Sequence, residues 1–504
     1  MDFETDALST RNVAQGQRVT QAAWWSRPRF LFAITFAWLS ITGGRFLAPY
    51  LENKNAPVGV LLASQQATGL LAGPWAGRVA DQLEFRFAGA GRISAVAIGV
   101  LIGTLCTVAQ DLIDQPSITV LLLIRVLYAI ASSFTIPIVD AIGVEASDDY
   151  GRERLWGAVA WATCHVVLGP LLDQYGFRVF YPLSSLLGTL SVGALILYLK
   201  SNAGPYETVE EHTEPANDGS DHHCAAEPAG NEQMTNINTE SEVTTWKLFR
   251  TLVVGGSNTT TSGSAVLLGI TFLVAVAFMG AGQAIVDNLI FLYFEFLGSS
   301  YTIMGITVVL TVLFEIPIFH VSDQLLHRFG ANLLLQAAMI CYVVRVIGYS
   351  LLPSGHASWT LFLEPLHGIT YACSQTAIVD LCTQRAPVGY AATFQGFVFS
   401  VRSIGAIVGL YVGGRAEENW SNPRLLYLLA AASVGCVSLL LAVVSSLQVI
   451  TKEKMPHRQC SSVELTENTC RESFACEEPE ESNERQMAEA SSVTPTQLTV
   501  APIS

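Results

Sequence analysis

Residues 359–380 read WTLFLEPLHGITYACSQTAIVD. The stretch is long and apolar enough to cross a bilayer, since about 20 residues of helix span roughly 30 Å of hydrocarbon. Yet it carries Glu364 and His367. Residues three apart are neighbours on a helix surface, so both are expected to project from one face. An ionisable group at that depth costs about 2.5–3.5 kcal/mol or more, and normally faces a cavity or a partner. The pair therefore reads either as part of a functional site or as a strut between helices.

The stretch has a counterpart earlier in the chain. Residues 124–140 read IRVLYAIASSFTIPIVD, and both segments end in Ile-Val-Asp, at Asp140 and Asp380. Both carry a charge near the start, Arg125 and Glu364, followed three residues later by Tyr128 and His367. A second match sets Asp81-Gln82-Leu83 with Arg86-Phe87 beside Asp323-Gln324-Leu325 with Arg328-Phe329. A third sets Tyr50-Leu51-Glu52 beside Tyr293-Phe294-Glu295. The offsets are 240, 242 and 243 residues, read from Asp140 to Asp380, Asp81 to Asp323 and Tyr50 to Tyr293. A near-constant offset means two copies of one unit, the sequence mark of a repeat-built transporter.

Composition agrees. Of 504 residues, 51% are hydrophobic and only 14% charged, which excludes an ordinary soluble protein. The formal charge of −15 arises mostly from the central polar segment and the tail, and no basic patch suggests nucleic acid. The ten cysteines are scattered without metal-ligand or disulfide spacing, and no cofactor is expected. Neither a nucleophile elbow nor a phosphate-binding glycine loop is present, so an enzyme is not expected.

Twelve spans are expected, at about 30–50, 57–80, 92–110, 118–142, 155–172, 178–199, 264–294, 300–320, 331–352, 357–380, 390–414 and 423–449. Lys and Arg concentrate on the side shared by the N-terminal segment 1–29, the central segment 201–262 and the tail 451–504. The positive-inside rule makes that side cytosolic, with both termini. The central and tail segments are polar and without apolar period, so disorder is expected there. The domains are then bundles at 30–200 and 263–450 joined by the linker.

At this point the chain resembles the major facilitator superfamily. Gly77-Arg78-Val79-Ala80-Asp81 fits the first half of that superfamily's loop motif between spans 2 and 3, and Arg86 keeps its last basic residue. The second copy, Phe319 to Arg328, lacks the glycine, which sets the chain apart from sugar porters and drug antiporters. Arg154-Leu155-Trp156-Gly157-Ala158, Glu364-Pro365-Leu366-His367-Gly368, Gln395-Gly396 and Gly413-Gly414 carry a likeness to the branch around lactose permease, nucleoside–proton symporters and associated-domain proteins. The resemblance implies an all-α membrane protein of twelve transmembrane helices in two six-helix bundles. It implies a monomeric secondary transporter of a small polar solute, sugar- or nucleoside-like, driven by protons. The alternative is a receptor or scaffold that kept the fold and lost transport.

In that superfamily spans 1, 4, 7 and 10 line a central cavity. The resemblance therefore puts Arg45, Arg125, Asp287, Glu364 and His367 at the cavity. Arg45–Asp287 is expected as one ion pair, and Glu364 with Arg125 or Arg345 as another, because pairing offsets desolvation. Glu364, His367 and Glu315 are the expected proton-coupling groups; His titrates near neutrality by nature. Trp161 and Tyr371 are candidates to stack on a ring-bearing solute. Asp81, Arg86, Asp140, Asp323, Arg328 and Asp380 are expected to lock a cytosolic gate, carboxylates being favourable at helix N-termini.

Overall fold

The computed structural model describes Trp24 and residues 27–113, 116–147, 150–202, 250–251, 263–386 and 391–453. Apart from positions 201–202, 250–251 and 451–453, the expected linker and tail lie outside the described residues. Among the described residues there is no strand. Nine stretches among them are long and apolar enough to cross a membrane, and one of these, Gly151–Ser201, holds two of the expected spans.

The first half runs through α1 (Pro28–Thr42), α2 (Leu47–Asn53), α3 (Val58–Arg86), α4 (Gly91–Leu112) and α5 (Ile118–Ser132). It continues through α6 (Ile136–Ala146), α7 (Tyr150–Tyr175) and α8 (Phe180–Asn202). The second half holds α9 (Gly263–Phe296), α10 (Tyr301–His320), α11 (Ser322–Phe329) and α12 (Ala331–Leu351). It ends with α13 (Pro365–Arg385), α14 (Ala391–Asn419) and α15 (Arg424–Glu453). Helices α3 and α13 are not among the nine apolar stretches. Polar side chains such as Gln65, Gln66 and Thr68, and Ser374, Gln375 and Thr376, interrupt them.

Three expected spans are broken, each where the sequence forbids a regular helix. The first breaks between α1 and α2 at Gly43-Gly44-Arg45-Phe46. There a Cβ on Gly44 would lie 1.9 Å from the Ser40 carbonyl oxygen, so no other residue fits. The second breaks between α5 and α6, just before Pro137. The third changes from a short 3₁₀ turn, Ala357–Phe362, to α13 at Pro365. Proline has no N–H to continue a ladder but is favourable at the start of a helix. Irregular backbone at membrane depth persists only where protein or a cavity surrounds it. Arg45 and Glu364 sit at two of these breaks.

The halves touch where α3 crosses α14 and α7 crosses α10. We call the end at which α1 and α9 begin the linker end, and the opposite one the far end. At the far end Gly59 packs on Gly414: a Cβ on Gly414 would lie 2.1 Å from the Gly59 Cα. Gly169 likewise lies on the start of α10, a Cβ there falling 2.5 Å from the Tyr301 carbonyl oxygen. Gly77 is 18 residues on from Gly59, and Gly396 is 18 residues before Gly414. Eighteen residues are about five full turns and about 27 Å, so each pair shares one helix face. Yet neither Gly77 nor Gly396 has an atom within 4 Å of where its Cβ would stand. The same two faces meet at the far end and part at the linker end.

Burial tells the same story. The larger apolar cluster joins both halves through Phe46, Leu51 and Leu61 with Phe291, Leu292 and Phe294. The second cluster, including Phe32, Ala80, Val96 and Leu195, contains first-half residues alone. The molecule is closed at the far end and open at the linker end.

Candidate functional site

The break after α1 frees Arg45 from the helix and points it at the second half. Its Nη2 lies 3.4 Å from Asp287 Oδ1 on α9 and 3.2 Å from His367 Nε2 on α13. His367 Nε2 is itself 3.4 Å from Asp287 Oδ1. Three side chains from three elements, and from both halves, thus meet at one point. The expected Arg45–Asp287 pair forms, and His367 joins it.

The chemistry turns on one ring nitrogen. With its proton on Nε2, His367 donates to Asp287 beside the Arg45 donor. With Nε2 bare, it accepts from Arg45 instead. The imidazole can exchange partners without moving far. Nδ1 of His367 is buried and has no hydrogen-bond partner. Asp287 is 33% exposed and Arg45 10%, so the group faces the opening from the Asp287 side.

Glu364 and His367 have separate partners. Glu364 precedes the first residue of α13, because the helix starts at Pro365. Its carboxylate is buried and turned away: Oε1 accepts from the Tyr349 hydroxyl at 2.7 Å and Oε2 from the Thr311 hydroxyl at 3.0 Å. The expected ion pair of Glu364 with Arg125 or Arg345 is not formed. Arg345 is fully buried, and its Nε, Nη1 and Nη2 have no hydrogen-bond partner. Its guanidinium lies 5.9 Å and 5.6 Å from the ring centres of Tyr342 and Tyr349.

Arg125 is held within the first half. It lies 4.3 Å over the Tyr128 ring and donates to Gln65 and, at 3.4 Å, to Gln110 Oε1. Both acceptors are neutral amides. Glu315 is half-buried on α10, and Gly368 of α13 packs on its backbone, a Cβ there falling 2.6 Å from the Glu315 nitrogen. Trp161 is half-buried and packs on His165, ring centres 4.8 Å apart. Tyr371, also half-buried, has Arg402 5.9 Å from its ring centre. Arg402 in turn donates to Gln375 at 2.5 Å and Gln283 at 2.9 Å.

The expected gate residues lie at the linker end. Asp81 pairs with Arg92 at 2.8 Å, not with Arg86, which is exposed. Arg92 also binds Glu145 at 2.6 Å, and Asp140 pairs with Arg154 at 3.2 Å. These pairs stay inside the first half. Asp380 accepts from Gln384 at 2.6 Å, and Arg328 lies 5.4 Å from the Phe329 ring. The side chain of Asp323 lies outside the described residues.

A residue that the sequence did not point to joins the halves at the far end. Asp173, near the end of α7, accepts the backbone N–H of Tyr301 at 2.8 Å and of Thr302 at 2.9 Å, and the Thr302 hydroxyl at 2.5 Å. It occupies the free N-terminus of α10, where unpaired N–H groups and the helix dipole favour a carboxylate.

Residues 30–429 match the profile described as the MFS_1 like family. The chain belongs to the MFS_1 like family. As a member, it is an integral, multi-pass membrane protein of a transporter family. Solved structures share the fold of this MFS_1 like protein at low identity. The nucleoside transporter NupG is 14% identical over 84% of this chain and 99% of its own, with a TM-score of 0.61. A peptide transporter, POT, in complex with sulfate is 16% identical over 83% and 94%, with a TM-score of 0.57. A POT family transporter in complex with 5-aminolevulinic acid is 12% identical over 84% and 97%, also at 0.57.

Proposed function

We propose that this MFS_1 like protein is a secondary transporter of a small polar solute, coupled to protons and working by alternating access. The observation that carries the reading is the Arg45–Asp287–His367 group. It joins the two halves below a closed end and faces an open one. A site bridging two bodies that rock against each other is what alternating access requires. A charge pair that changes partners with one imidazole proton is what coupling requires.

On this reading the chain has twelve spans in two bundles of six, and the linker end with both termini is cytosolic. The state described is then open to the cytosol. Asp81, Arg86, Asp140, Asp323, Arg328 and Asp380 belong to the gate that closes there in the opposite state. Their present pairing within single halves fits an open gate. Trp161 and Tyr371, both half-buried, are the aromatic side chains offered to stack on a ring-bearing solute.

Uptake into proteoliposomes under an imposed pH gradient tests the reading, with sugars, nucleosides and small anions as the panel. Accumulation that collapses with the gradient is expected. A protein that binds members of the panel but exchanges none of them is a receptor, not a carrier.

A further inference from the structure

We propose that the solute carries an oxyanion, a carboxylate or a phosphate, and that Arg45 and Arg345 receive it. This names the substrate class of the site above and rests on the transport reading.

The argument begins with charge. Away from the ends of the expected spans, Arg45, Arg125, Arg345 and Arg402 are the cations among the described residues. Asp287, Glu315 and Glu364 are the matching anions. An arginine cannot shed its proton in a protein, so it cannot escape burial by becoming neutral. Arg125 and Arg402 are at least met by the carbonyl oxygens of glutamines. Arg345 is met by none. It is fully buried, and every nitrogen of its guanidinium lacks an acceptor.

Two more buried groups beside it are in the same condition. The Tyr342 hydroxyl, three residues before Arg345 on α12, has no partner. Neither does His367 Nδ1. Buried polar groups are normally satisfied, so a cluster of unmet ones marks something missing. The obvious protein acceptor is Glu364, but its carboxylate binds Tyr349 and Thr311 and forms no ion pair with Arg345. What remains is a guanidinium with no acceptor. A planar guanidinium matches a carboxylate or phosphate in two parallel hydrogen bonds, better than it matches a neutral hydroxyl.

Arg45 gives the route in. Its contacts to Asp287 and His367 are long, 3.4 Å and 3.2 Å, and Asp287 is exposed on one side. A charge-assisted bond at full strength is about 2.7–2.9 Å. An arriving oxyanion therefore competes on favourable terms for Arg45. Arg345 lies 5.6 Å from the Tyr349 ring centre, Tyr349 donates to Glu364, and His367, which Arg45 reaches, follows Glu364 by three residues. An anion received here would take Arg45 from Asp287 and give Arg345 the acceptor it lacks.

The test uses the purified full chain in detergent, with inorganic phosphate and acetate as probes against chloride at equal ionic strength. Thermal unfolding is followed for wild type, Arg345→Gln and Arg345→Lys, each first checked for a monodisperse elution profile. We expect phosphate or acetate to raise the Tm of wild type above its chloride value by several degrees. Which of the two does so separates a phosphate from a carboxylate substrate. Arg345→Gln should abolish the rise and Arg345→Lys restore part of it. The proposal is overturned if neither oxyanion stabilises wild type beyond chloride, or if Arg345→Gln keeps the full rise. Counterflow in proteoliposomes is run in parallel on anionic solutes and their neutral parents. Exchange of neutral solutes without oxyanion stabilisation leaves a carrier of another substrate class. Oxyanion stabilisation without exchange of any solute leaves the site and removes the transport reading.

Discussion

Arg45 and Asp287 meet across the two halves of the molecule at 3.4 Å, 242 residues apart in sequence. Arg45 reaches that point because the Gly43-Gly44 break lifts it out of α1, whereas Asp287 sits on the unbroken α9. The contact is long and open to solvent on the Asp287 side. It holds the halves together weakly enough to be exchanged during a transport cycle.

The first prediction concerns this pair. Arg45→Gln or Asp287→Asn each leaves one charge without its partner, which is costly inside a protein. Both changes together remove the charge pair as a unit. Each single variant should therefore lower Tm, and the double variant should lower it by less than the sum. Coupling between contacting residues runs at about 0.5–3 kcal/mol, and solvent access to Asp287 places this pair near the lower figure. Strictly additive shifts in a double-mutant cycle would show that the two side chains are merely adjacent.

Asp173 should act as a latch. Its carboxylate holds the first N–H groups of a helix in the other half, beside the Ser300 cap, so opening at the far end must break three hydrogen bonds at once. Losing capping bonds of this kind costs about 0.5–2 kcal/mol, or roughly a 2- to 30-fold change in a two-state ratio. Asp173→Ala should shift the population toward opening at the far end. Spin labels at Asn53 and Ser354 report this as a longer distance distribution. An unchanged distribution would mean that the glycine contacts alone hold that end shut.

Those contacts give a third prediction. Gly59 and Gly414 touch backbone to backbone, with no space for a Cβ on either. Gly414→Val should exclude the described state, because neither backbone can retreat without separating α3 from α14. The far end should open and the carrier should stop cycling. Gly77→Val is the control: its position shares the Gly59 face but has open space around it. It should leave the described state intact and hinder closure at the linker end only. Equal accessibility of a far-end cysteine in both variants would count against the splayed arrangement.

These contacts show where sequence reading works and where it stops. The Arg45–Asp287 pair was legible because charges in apolar stretches carry a local physical demand for a partner. The partner of Asp81 was not. Arg86 lies five residues on, about 140° around the same helix, whereas Arg92 opens α4 and folds back over it. Aligning the repeats also set Arg125 beside Glu364, but the backbones differ there. Arg125 sits inside the regular helix α5, while Glu364 precedes a helix that Pro365 must begin. Asp173 could not be found at all. Its partners are backbone N–H groups 128 and 129 residues away, and these leave no mark on residue type.

The last prediction concerns Glu364, the proposed coupling carboxylate. It is buried, and its two oxygens accept from the hydroxyls of Tyr349 and Thr311 rather than from a cation. A charged carboxylate there is held by two donated hydrogen bonds. A protonated one must give up or reverse one of them, which the Thr311 hydroxyl allows because it can accept as well as donate. Glu364→Gln copies the protonated form in shape and in being neutral, with an N–H able to donate. On the coupling reading it should abolish uphill uptake driven by a pH gradient yet preserve counterflow, since exchange needs no proton cycle. Tyr349→Phe separates charge from packing. It removes one donor to the carboxylate, leaves the ring over Arg345 in place and should weaken coupling without abolishing exchange. Both variants are measured in the same proteoliposomes, with and without the gradient. If Glu364→Gln accumulates solute as wild type does, Glu364 is a strut between α10, α12 and α13. The proton must then be carried at Asp287 and His367, where one ring nitrogen already stands between an arginine and a carboxylate.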